Sequence, residues 1–189
     1  MLPDGYLIRP LRPDDAAALA AAYRLNREHL APWEPVRPES FFTEEGQAAE
    51  IARQLADRER DKRYTFVLWH GDTVVGRIAI DNVARGVLQS ATLGYWVARD
   101  HTGRGLAGEL VEHAVARARE LGLHRLEAGT RLHNRASQAV LRRTGFAEYG
   151  VAERFLFIHG EWTDHVLFQR ILHDLPPGNP PTAERVGPA

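Results

Sequence analysis

A glycine-rich segment between a predicted strand and a predicted helix carries the sharpest chemical signal in the sequence. It reads His101-Thr102-Gly103-Arg104-Gly105-Leu106-Ala107-Gly108. Glycines at such a turn let backbone N–H groups approach an anion closely, and the start of a helix adds about half a positive charge. A phosphate or pyrophosphate is the expected occupant. A tight strand-to-helix turn that binds nothing is the alternative interpretation.

The same segment also matches the glycine pattern of dinucleotide-binding folds. Gly103 to Gly108 fit G-x-G-x-x-G, and Glu127 follows about twenty residues later. In those folds, however, the glycine loop follows the first strand and further parallel strands come after it. Here the loop follows a predicted antiparallel meander, and the roughly 80 residues that remain contain a hairpin. An NAD-dependent oxidoreductase is therefore the weaker interpretation.

A second motif, Asn134-x-x-Ser137, lies after the next predicted strand and is followed by Gly145-Phe146. Its local roles are those of a helix start and a helix end, because Asn134 can cap the first turn and Gly145 can stop the last one. We expect both of these local roles, the cap at Asn134 and the stop at Gly145.

The two motifs together resemble the GNAT superfamily of acyl-CoA-dependent N-acetyltransferases. The pyrophosphate loop of that family has Gln or Arg, two variable residues, Gly, one variable residue, and Gly or Ala. Gly105 and Ala107 agree with this pattern, whereas Thr102 replaces the usual Gln or Arg. The backbone amides of the loop are still expected to bind the pyrophosphate, so the replacement by Thr102 affects only a side-chain contribution to binding.

Within the superfamily the chain looks most like the RimJ/RimL branch, over residues 6 to 173. The features that carry this likeness are Ile8-Arg9-Pro10-Leu11-Arg12, Arg27-Glu28-His29-Leu30-x-Pro32-Trp33, Leu93-Gly94-Tyr95-Trp96-Val97, Asn134-Arg135-Ala136-Ser137 and Gly160-Glu161-Trp162-x-Asp164. The resemblance implies acetyl-CoA as the cofactor and direct attack by a primary amine in a ternary complex. It does not decide the acceptor, because the branch includes acetyltransferases for ribosomal-protein N-termini and for small molecules.

The resemblance also implies which residues hold the cofactor. The strand that ends at Val97 is expected to separate from the strand around Glu127, and the pantetheine arm is expected to lie in that opening. The amide of Val97 is the predicted donor to the carbonyl oxygen on which charge develops. The predicted cofactor-binding residues are Val97, Arg99, Thr102, Gly103, Arg104, Gly105, Leu106, Ala107, Asn134 and Ser137.

Two side chains are predicted to move protons. Ser137 is expected near the sulfur, where it would protonate the departing thiolate, or else it is a solvent-facing helical serine. Many relatives carry Glu where this chain has Thr92, so Glu127 is the predicted base, unless it pairs with Arg125 or Arg131. A water chain is a further possibility, because a peptide α-amine has a pKa near 8 and is partly neutral at pH 7.

The acceptor site is expected between residues 27–42 and the C-terminal hairpin. Trp33 and Trp162 would form its walls, and Glu28 and Glu34 would attract a cationic amine. Core packing is the alternative role for both tryptophans, and the favoured one for Trp162. The nine histidines show no HxH or HxxxH spacing, so no metal site is predicted.

Composition excludes several classes of function. The 24 basic and 25 acidic residues leave a net charge of −1, which does not favour binding of nucleic acid. The absence of cysteine excludes disulfides, Cys-ligated metals and an acyl-cysteine intermediate. Neither a signal peptide nor a run of about 18 apolar residues is found, so we expect a cytoplasmic protein that does not bind membranes.

The elements that must position these residues follow from hydrophobic periodicity and from turn and cap residues. Predicted strands cover 6–11, 64–70, 73–82, 87–97, 124–130, 146–158 and 162–172, and predicted helices cover 13–23, 44–60, 104–121 and 135–143. The strand after the long crossover helix should lie parallel to the one before it. This order predicts a single-domain α+β fold with a mixed sheet flanked by helices, and a disordered tail over 176–189.

The sequence therefore predicts an acetyl-CoA-dependent N-acetyltransferase of the GNAT fold, monomeric or homodimeric. The N-terminal α-amine of a ribosomal or other protein is the first predicted acceptor. A small-molecule amine, such as an antibiotic or a polyamine, is the second. The missing glutamate at Thr92 leaves open a catalytically silent acyl-CoA-binding module.

Overall fold

Seven strands form one mixed sheet in the computed structural model, which describes residues 2–177. The order across the sheet is β1-β2-β3-β4-β5-β7-β6, and only β4 and β5 run parallel. The strands are β1 Tyr6–Pro10, β2 Tyr64–His70, β3 Thr73–Ala84, β4 Ser90–Val97, β5 Arg125–Arg131, β6 Ala147–Ile158 and β7 Glu161–Ile171. The antiparallel meander and the single parallel crossover are thus as predicted, which excludes a dinucleotide-binding topology.

Five α-helices within residues 2–177 connect the strands. They are α1 Ala16–Leu25, α2 Arg27–Leu30, α3 Glu44–Glu59, α4 Leu106–Glu120 and α5 Arg135–Arg143. Short-range signals set their ends: the Thr43 hydroxyl accepts from the Gly46 N–H, and the Asn134 side chain accepts from the Ser137 N–H. Gly122 and Gly145 follow α4 and α5 with φ of 70° and 73°, a conformation that favours glycine.

The helices cover both faces of the sheet, as two neighbours on β3 show. A Cβ at Gly76 would lie 3.4 Å from Leu110 of α4. The next side chain, Arg77, donates instead to the Tyr23 hydroxyl of α1 (3.1 Å) and to Gln54 Oε1 of α3 (2.7 Å). Because successive side chains of a strand point to opposite faces, α4 lies on one face of the sheet and α1 with α3 on the other.

The sheet opens between β4 and β5. The two strands pair only from Ser90 with Arg125 to Thr92 with Glu127, and the rest of β4 has no partner on this side. The Ala98 N–H donates to the Val75 carbonyl, which makes their neighbours on the ladder, Val97 and Gly76, a non-hydrogen-bonded pair. The N–H and C=O of Val97 therefore point away from β3 into the opening, which confirms the expected separation of the strands.

Two expectations about chain segments need comment. The strand predicted over 87–97 begins only at Ser90, because Val87 lies in a turn with 98% of its surface exposed. The predicted disordered tail over 176–189 lies almost wholly outside the described residues. No helix within residues 2–177 is both long and apolar enough to cross a membrane.

Candidate active site

The glycine-rich segment forms the turn between β4 and α4, after a short 3-10 helix over Arg99–His101. Gly103 and Gly105 have φ of 75° and 78°, and Gly105 is the residue that precedes α4. A side chain at either position would be strained, so the turn requires glycine twice. A Cβ at either glycine would meet no protein atom within 4 Å. The backbone of the turn therefore faces open space at the N-terminus of a 15-residue helix, as an anion site requires.

A cavity of about 540 Å³ lies against this turn and is called here the donor cavity. Its walls come from the glycine turn, the end of β4, helix α2 with the residues after it, and helix α5. The predicted cofactor residues that line it are Val97, Thr102, Gly103, Gly105, Leu106, Ala107, Asn134 and Ser137. These residues fit a phosphorylated ligand whose anionic end rests on the turn and whose other end reaches α5.

Two predicted cofactor side chains fold back onto the turn instead. The Thr102 hydroxyl donates to the Arg99 carbonyl (2.8 Å). Arg104 donates to the Asp100 carbonyl and to the Tyr6 hydroxyl, both at 3.2 Å. These side chains hold the turn in shape, and the backbone remains free to meet a ligand.

The end of β4 is held by two residues that sequence analysis missed. The buried Asn26 accepts the Arg99 N–H at its Oδ1 (2.9 Å), so the N–H of this predicted cofactor-binding residue is already used within the protein. His29 Nε2 lies 3.2 Å from the Val97 carbonyl and borders the donor cavity. Both lie on or beside α2, and their contacts span about seventy residues of sequence, which local patterns do not reveal.

Ser137 lies in the first turn of α5 beside a tyrosine of β4. Its Oγ is 2.8 Å from the Tyr95 hydroxyl. Burial raises the pKa of Tyr95 to about 12, against a smaller lowering by the bond to Ser137, so the phenol is protonated at neutral pH. Asn134 uses its Oδ1 to cap α5 and lines the same cavity. Tyr95 is a further residue that the sequence analysis did not single out.

Glu127 lies on β5 and is held by three side chains. Its Oε1 accepts from Arg125 (2.5 Å) and from the Tyr149 hydroxyl (2.7 Å), and its Oε2 lies 3.5 Å from Ser90 Oγ. Burial and the hydrogen bond to Glu127 raise the pKa of Tyr149. The pairing with Arg125 is the alternative that the sequence left open. Oε2 is the oxygen with more room for a further proton donor.

A second cavity, of about 660 Å³, is called here the acceptor cavity. Glu127, Trp33 and Glu34 line it, together with residues of β3, β5 and the β6–β7 hairpin. Trp33 packs on the His133 ring with centroids 5.4 Å apart and is 36% exposed. A volume of this size lies within the range of small-ligand sites.

The other two predicted acceptor residues lie elsewhere. Glu28 is exposed on α2 and lines neither cavity. Trp162 is 62% exposed at the start of β7, packs edge-on against Phe157, and borders a separate shallow cavity of about 250 Å³. The core-packing role favoured for Trp162 is therefore wrong, because most of its surface is exposed to solvent.

The donor and acceptor cavities adjoin. Six residues line both of them: Trp33, Glu34, Tyr95, Trp96, Asn134 and Ser137. We call these six the junction residues. At the junction residues, a group held in the donor cavity can meet a group held in the acceptor cavity. Separately, the described residues contain no cluster of His, Asp or Glu that could hold a metal ion.

Comparison with known proteins agrees with this geometry. Residues 6–147 match the family model described as an acetyltransferase (GNAT) domain. The ribosomal protein uS5-alanine N-acetyltransferase of Escherichia coli is 34% identical over 178 residues, which cover 93% of this chain and 92% of that protein. The structure of a ribosomal-protein-S5-alanine acetyltransferase from Vibrio fischeri has a TM-score of 0.88 at 29% identity, covering 94% and 98% of the two chains. RimJ of Mycobacterium smegmatis, solved with CoA-disulfide, has a TM-score of 0.83 at 33% identity, covering 88% and 81%.

Proposed function

The chain belongs to the GNAT family of acetyl-CoA-dependent N-acetyltransferases, and we propose that it acetylates the N-terminal α-amine of a protein. The observation that carries direct transfer to a bound amine is the junction between the donor and acceptor cavities. A transferase that joins two substrates directly needs such a meeting point, because holding both reactants in place supplies much of the rate. An acceptor on the ribosome would place the reaction in the cytoplasm.

The donor cavity has the residues to hold acetyl-CoA, which when bound supplies an acetyl group as a reactive thioester. The backbone amides of residues 103–107 and the N-terminus of α4 would hold the pyrophosphate. The side chain of Asn134 would bind the pantetheine arm. The N–H of Val97, which points into the opening between β4 and β5, would stabilise negative charge on the carbonyl oxygen.

Ser137 is the proposed proton donor to the departing sulfur. Its Oγ lies beside the protonated hydroxyl of Tyr95, and both residues belong to the junction. Tyr95 is then a positioning residue, because it acts through Ser137. In this role the Tyr95 hydroxyl would donate to the Ser137 Oγ, which leaves the serine proton free to be directed at the sulfur.

Glu127 is the base proposed from the sequence. It lines the acceptor cavity, and its Oε2 has only the long contact with Ser90 Oγ among the hydrogen bonds of residues 2–177. The bonds from Arg125 and Tyr149 hold its other oxygen. In this role the carboxylate would take a proton from the amine directly or through one water.

A protein N-terminus is favoured over a small molecule by the names of two similar proteins, both alanine N-acetyltransferases for ribosomal protein S5. We infer that a peptide with alanine as its first residue is the first acceptor to test. The aromatic residues Trp33, Phe155 and Phe157 along the acceptor cavity would pack against such a peptide.

A panel of three acceptors tests this proposal. The purified protein with acetyl-CoA is offered three acceptors, and kcat/KM is measured for each. The first is an alanine-initiated peptide that contains an internal lysine, the second is that peptide with its N-terminus blocked, and the third is spermidine. We expect turnover of the free peptide and none of the blocked one. Turnover of spermidine alone would replace the proposal with a small-molecule function, and no turnover of any amine would favour a silent acyl-CoA-binding module.

A further inference from the structure

Glu34 occupies a distinctive place in the active site. It lies in the loop after α2, where its own N–H and that of Trp33 donate to the Leu30 carbonyl at 3.2 and 2.8 Å. These bonds continue the turn of α2 and fix the backbone of the loop. Among the six junction residues, Glu34 is the only one with a carboxylate.

The side chain of Glu34 is shielded, and its ion pair with Arg37 is a long one. It is 22% exposed, and its nearest cation is Arg37, whose Nε lies 3.9 Å from Oε2. No hydrogen bond to its carboxylate is found among residues 2–177. Both oxygens are therefore available to a ligand that enters the junction.

Burial raises the pKa of Glu34, and the positive charges of Arg37 and Arg77 oppose this to a smaller degree. Glu34 borders the donor cavity, the acceptor cavity and a third cavity of about 250 Å³. The charged or titratable side chains that line one or more of these three cavities beside it are Tyr23, Arg27, His29, Arg37, Arg77, Asp81, Tyr95, His101, Glu127, Arg131, Arg143, Tyr149, His159 and His165. A carboxylate with a raised pKa is a better proton acceptor near neutral pH than an ordinary one.

Glu127 differs from Glu34 in its position and in its partners. It lines the acceptor cavity only, and Arg125 and Tyr149 both bond to one of its oxygens. That oxygen is therefore already occupied by protein side chains. Of these two carboxylates, Glu34 is the one that lines both cavities.

We propose that Glu34, rather than Glu127, is the general base that takes the proton from the acceptor amine. This inference rests on the proposed N-acetyltransfer to a primary amine. The amine nitrogen forms its new bond to the acetyl carbon as the carbon–sulfur bond breaks. Glu34 takes the proton that the nitrogen loses and returns it to solvent, and the sulfur takes a proton through Ser137, which solvent replaces. Glu127 then positions Tyr149 at the wall of the acceptor cavity.

The test compares Glu34→Gln with Glu127→Gln, Glu34→Asp and the control Glu45→Gln, which changes an exposed residue in the first turn of α3. For each, kcat, both KM values and the pH profile of kcat are measured between pH 5 and 9. We expect Glu34→Gln to lower kcat by about 10²-fold or more, a typical effect of losing a general base. The acidic limb of the profile should disappear, and the KM for acetyl-CoA should stay the same. Glu34→Asp should restore the limb at a lower kcat, and Glu127→Gln should keep it.

Several outcomes would overturn the assignment, and they differ from failure of the proposed function. If Glu34→Gln raises only the KM of the amine and keeps the limb, Glu34 attracts the cation without taking its proton. Loss of the limb in Glu127→Gln alone returns the base role to Glu127. If the wild type acetylates only spermidine, the proposed acceptor is wrong, and the same comparison on spermidine still decides the base. A wild type that acetylates no amine overturns both proposals.

Discussion

The hydroxyl of Tyr95 and the Oγ of Ser137 lie 2.8 Å apart, although 42 residues separate them in the sequence. One comes from the free edge of β4 in the opening of the sheet, and the other from the first turn of α5. Their contact therefore joins the opened sheet to the helix that lines both cavities. It is the contact through which the sheet fixes the direction of the proposed proton donor.

Removal of the Ser137 hydroxyl should damage catalysis more than removal of its partner. We expect Ser137→Ala to lower kcat by about 10²-fold with unchanged affinity for acetyl-CoA. Tyr95→Phe should lower kcat less, and should lower the free energy of unfolding by about 1 kcal/mol for the lost hydrogen bond. Steady-state kinetics and urea unfolding measure these effects.

Tyr64→Phe is the matched control, because the Tyr64 hydroxyl also forms a hydrogen bond, to Asp61 at 2.7 Å, but Tyr64 lies outside both cavities. It should lower stability without changing kcat. An unchanged kcat in both Ser137→Ala and Tyr95→Phe would remove this pair from the mechanism.

The glycine turn should bind the donor through its backbone. Gly105→Val places a branched side chain at a φ of 78° in the space that faces the cavity. We expect its affinity for acetyl-CoA in titration calorimetry to fall about tenfold or more, since a lost hydrogen bond to a charged group costs about 1.5 kcal/mol or more.

Gly86→Val controls for backbone strain, because Gly86 has a φ of 68°, also faces open space and lies outside the donor cavity. Both variants should lose stability, by about 1–3 kcal/mol for the strained residue. Only Gly105→Val should lose affinity. Equal affinities in the two variants would mean that the pyrophosphate lies elsewhere.

Asp15 should be the ion-pair residue on which stability depends most. It is 1% exposed and accepts from both terminal nitrogens of Arg9, at 3.0 and 2.6 Å, and from the Arg12 N–H at 2.9 Å. Asp15→Ala leaves a shielded guanidinium without its partner, so the free energy of unfolding should fall by about 3 kcal/mol. Urea unfolding measures this change.

Arg27 and Glu39 form an equally well-aligned pair on the exposed surface. Glu39→Ala should therefore change stability little, because water replaces an exposed ion pair at small cost. Equal effects of Asp15→Ala and Glu39→Ala would show that burial does not govern the strength of these pairs.

Stability should fall when the pH drops below about 6.5, the ordinary pKa of histidine. Burial lowers the pKa of His165, which is 3% exposed, so the folded protein binds its proton less readily than the unfolded chain does. The stabilisation is complete above the unfolded pKa and is lost as the pH falls toward the lower folded pKa. The pKa values of His101 and His113 are lowered in the same direction.

His165→Gln removes one of these groups, so its free energy of unfolding should differ less between pH 7.5 and pH 5.5 than that of the wild type. Urea titrations at both pH values measure the difference. The same pH dependence in the variant and the wild type would exclude a contribution from His165.

The parts of the site that sequence analysis could predict are those that depend on neighbours in the chain. Gly103 and Gly105 are needed for the turn itself, and Asn134 caps the helix that begins one residue later. Such signals act over a few residues, so composition and spacing reveal them. The strand order followed from the same signals, because short turns and one long crossover leave few topologies.

The contacts that sequence analysis missed join distant segments. The bond from Arg99 to Asn26 spans 73 residues, and a polar residue near a helix end gives no sign of its partner. Glu127 could be placed on a strand, but its bond from Tyr149 depends on the packing of β6 beside β7. The start of β4 at Ser90 rather than Val87 depends on pairing with β5, which the local apolar run does not reveal.

A structure of the protein with coenzyme A joined through an acetyl bridge to an alanine-initiated peptide tests the account most directly. The account predicts the pyrophosphate on the backbone amides of residues 103–107 and the peptide in the acceptor cavity. The sulfur should lie beside Ser137, and the peptide nitrogen should lie closer to Glu34 than to Glu127. A peptide bound instead along the exposed face at Trp162, or a pyrophosphate away from the glycine turn, would contradict it.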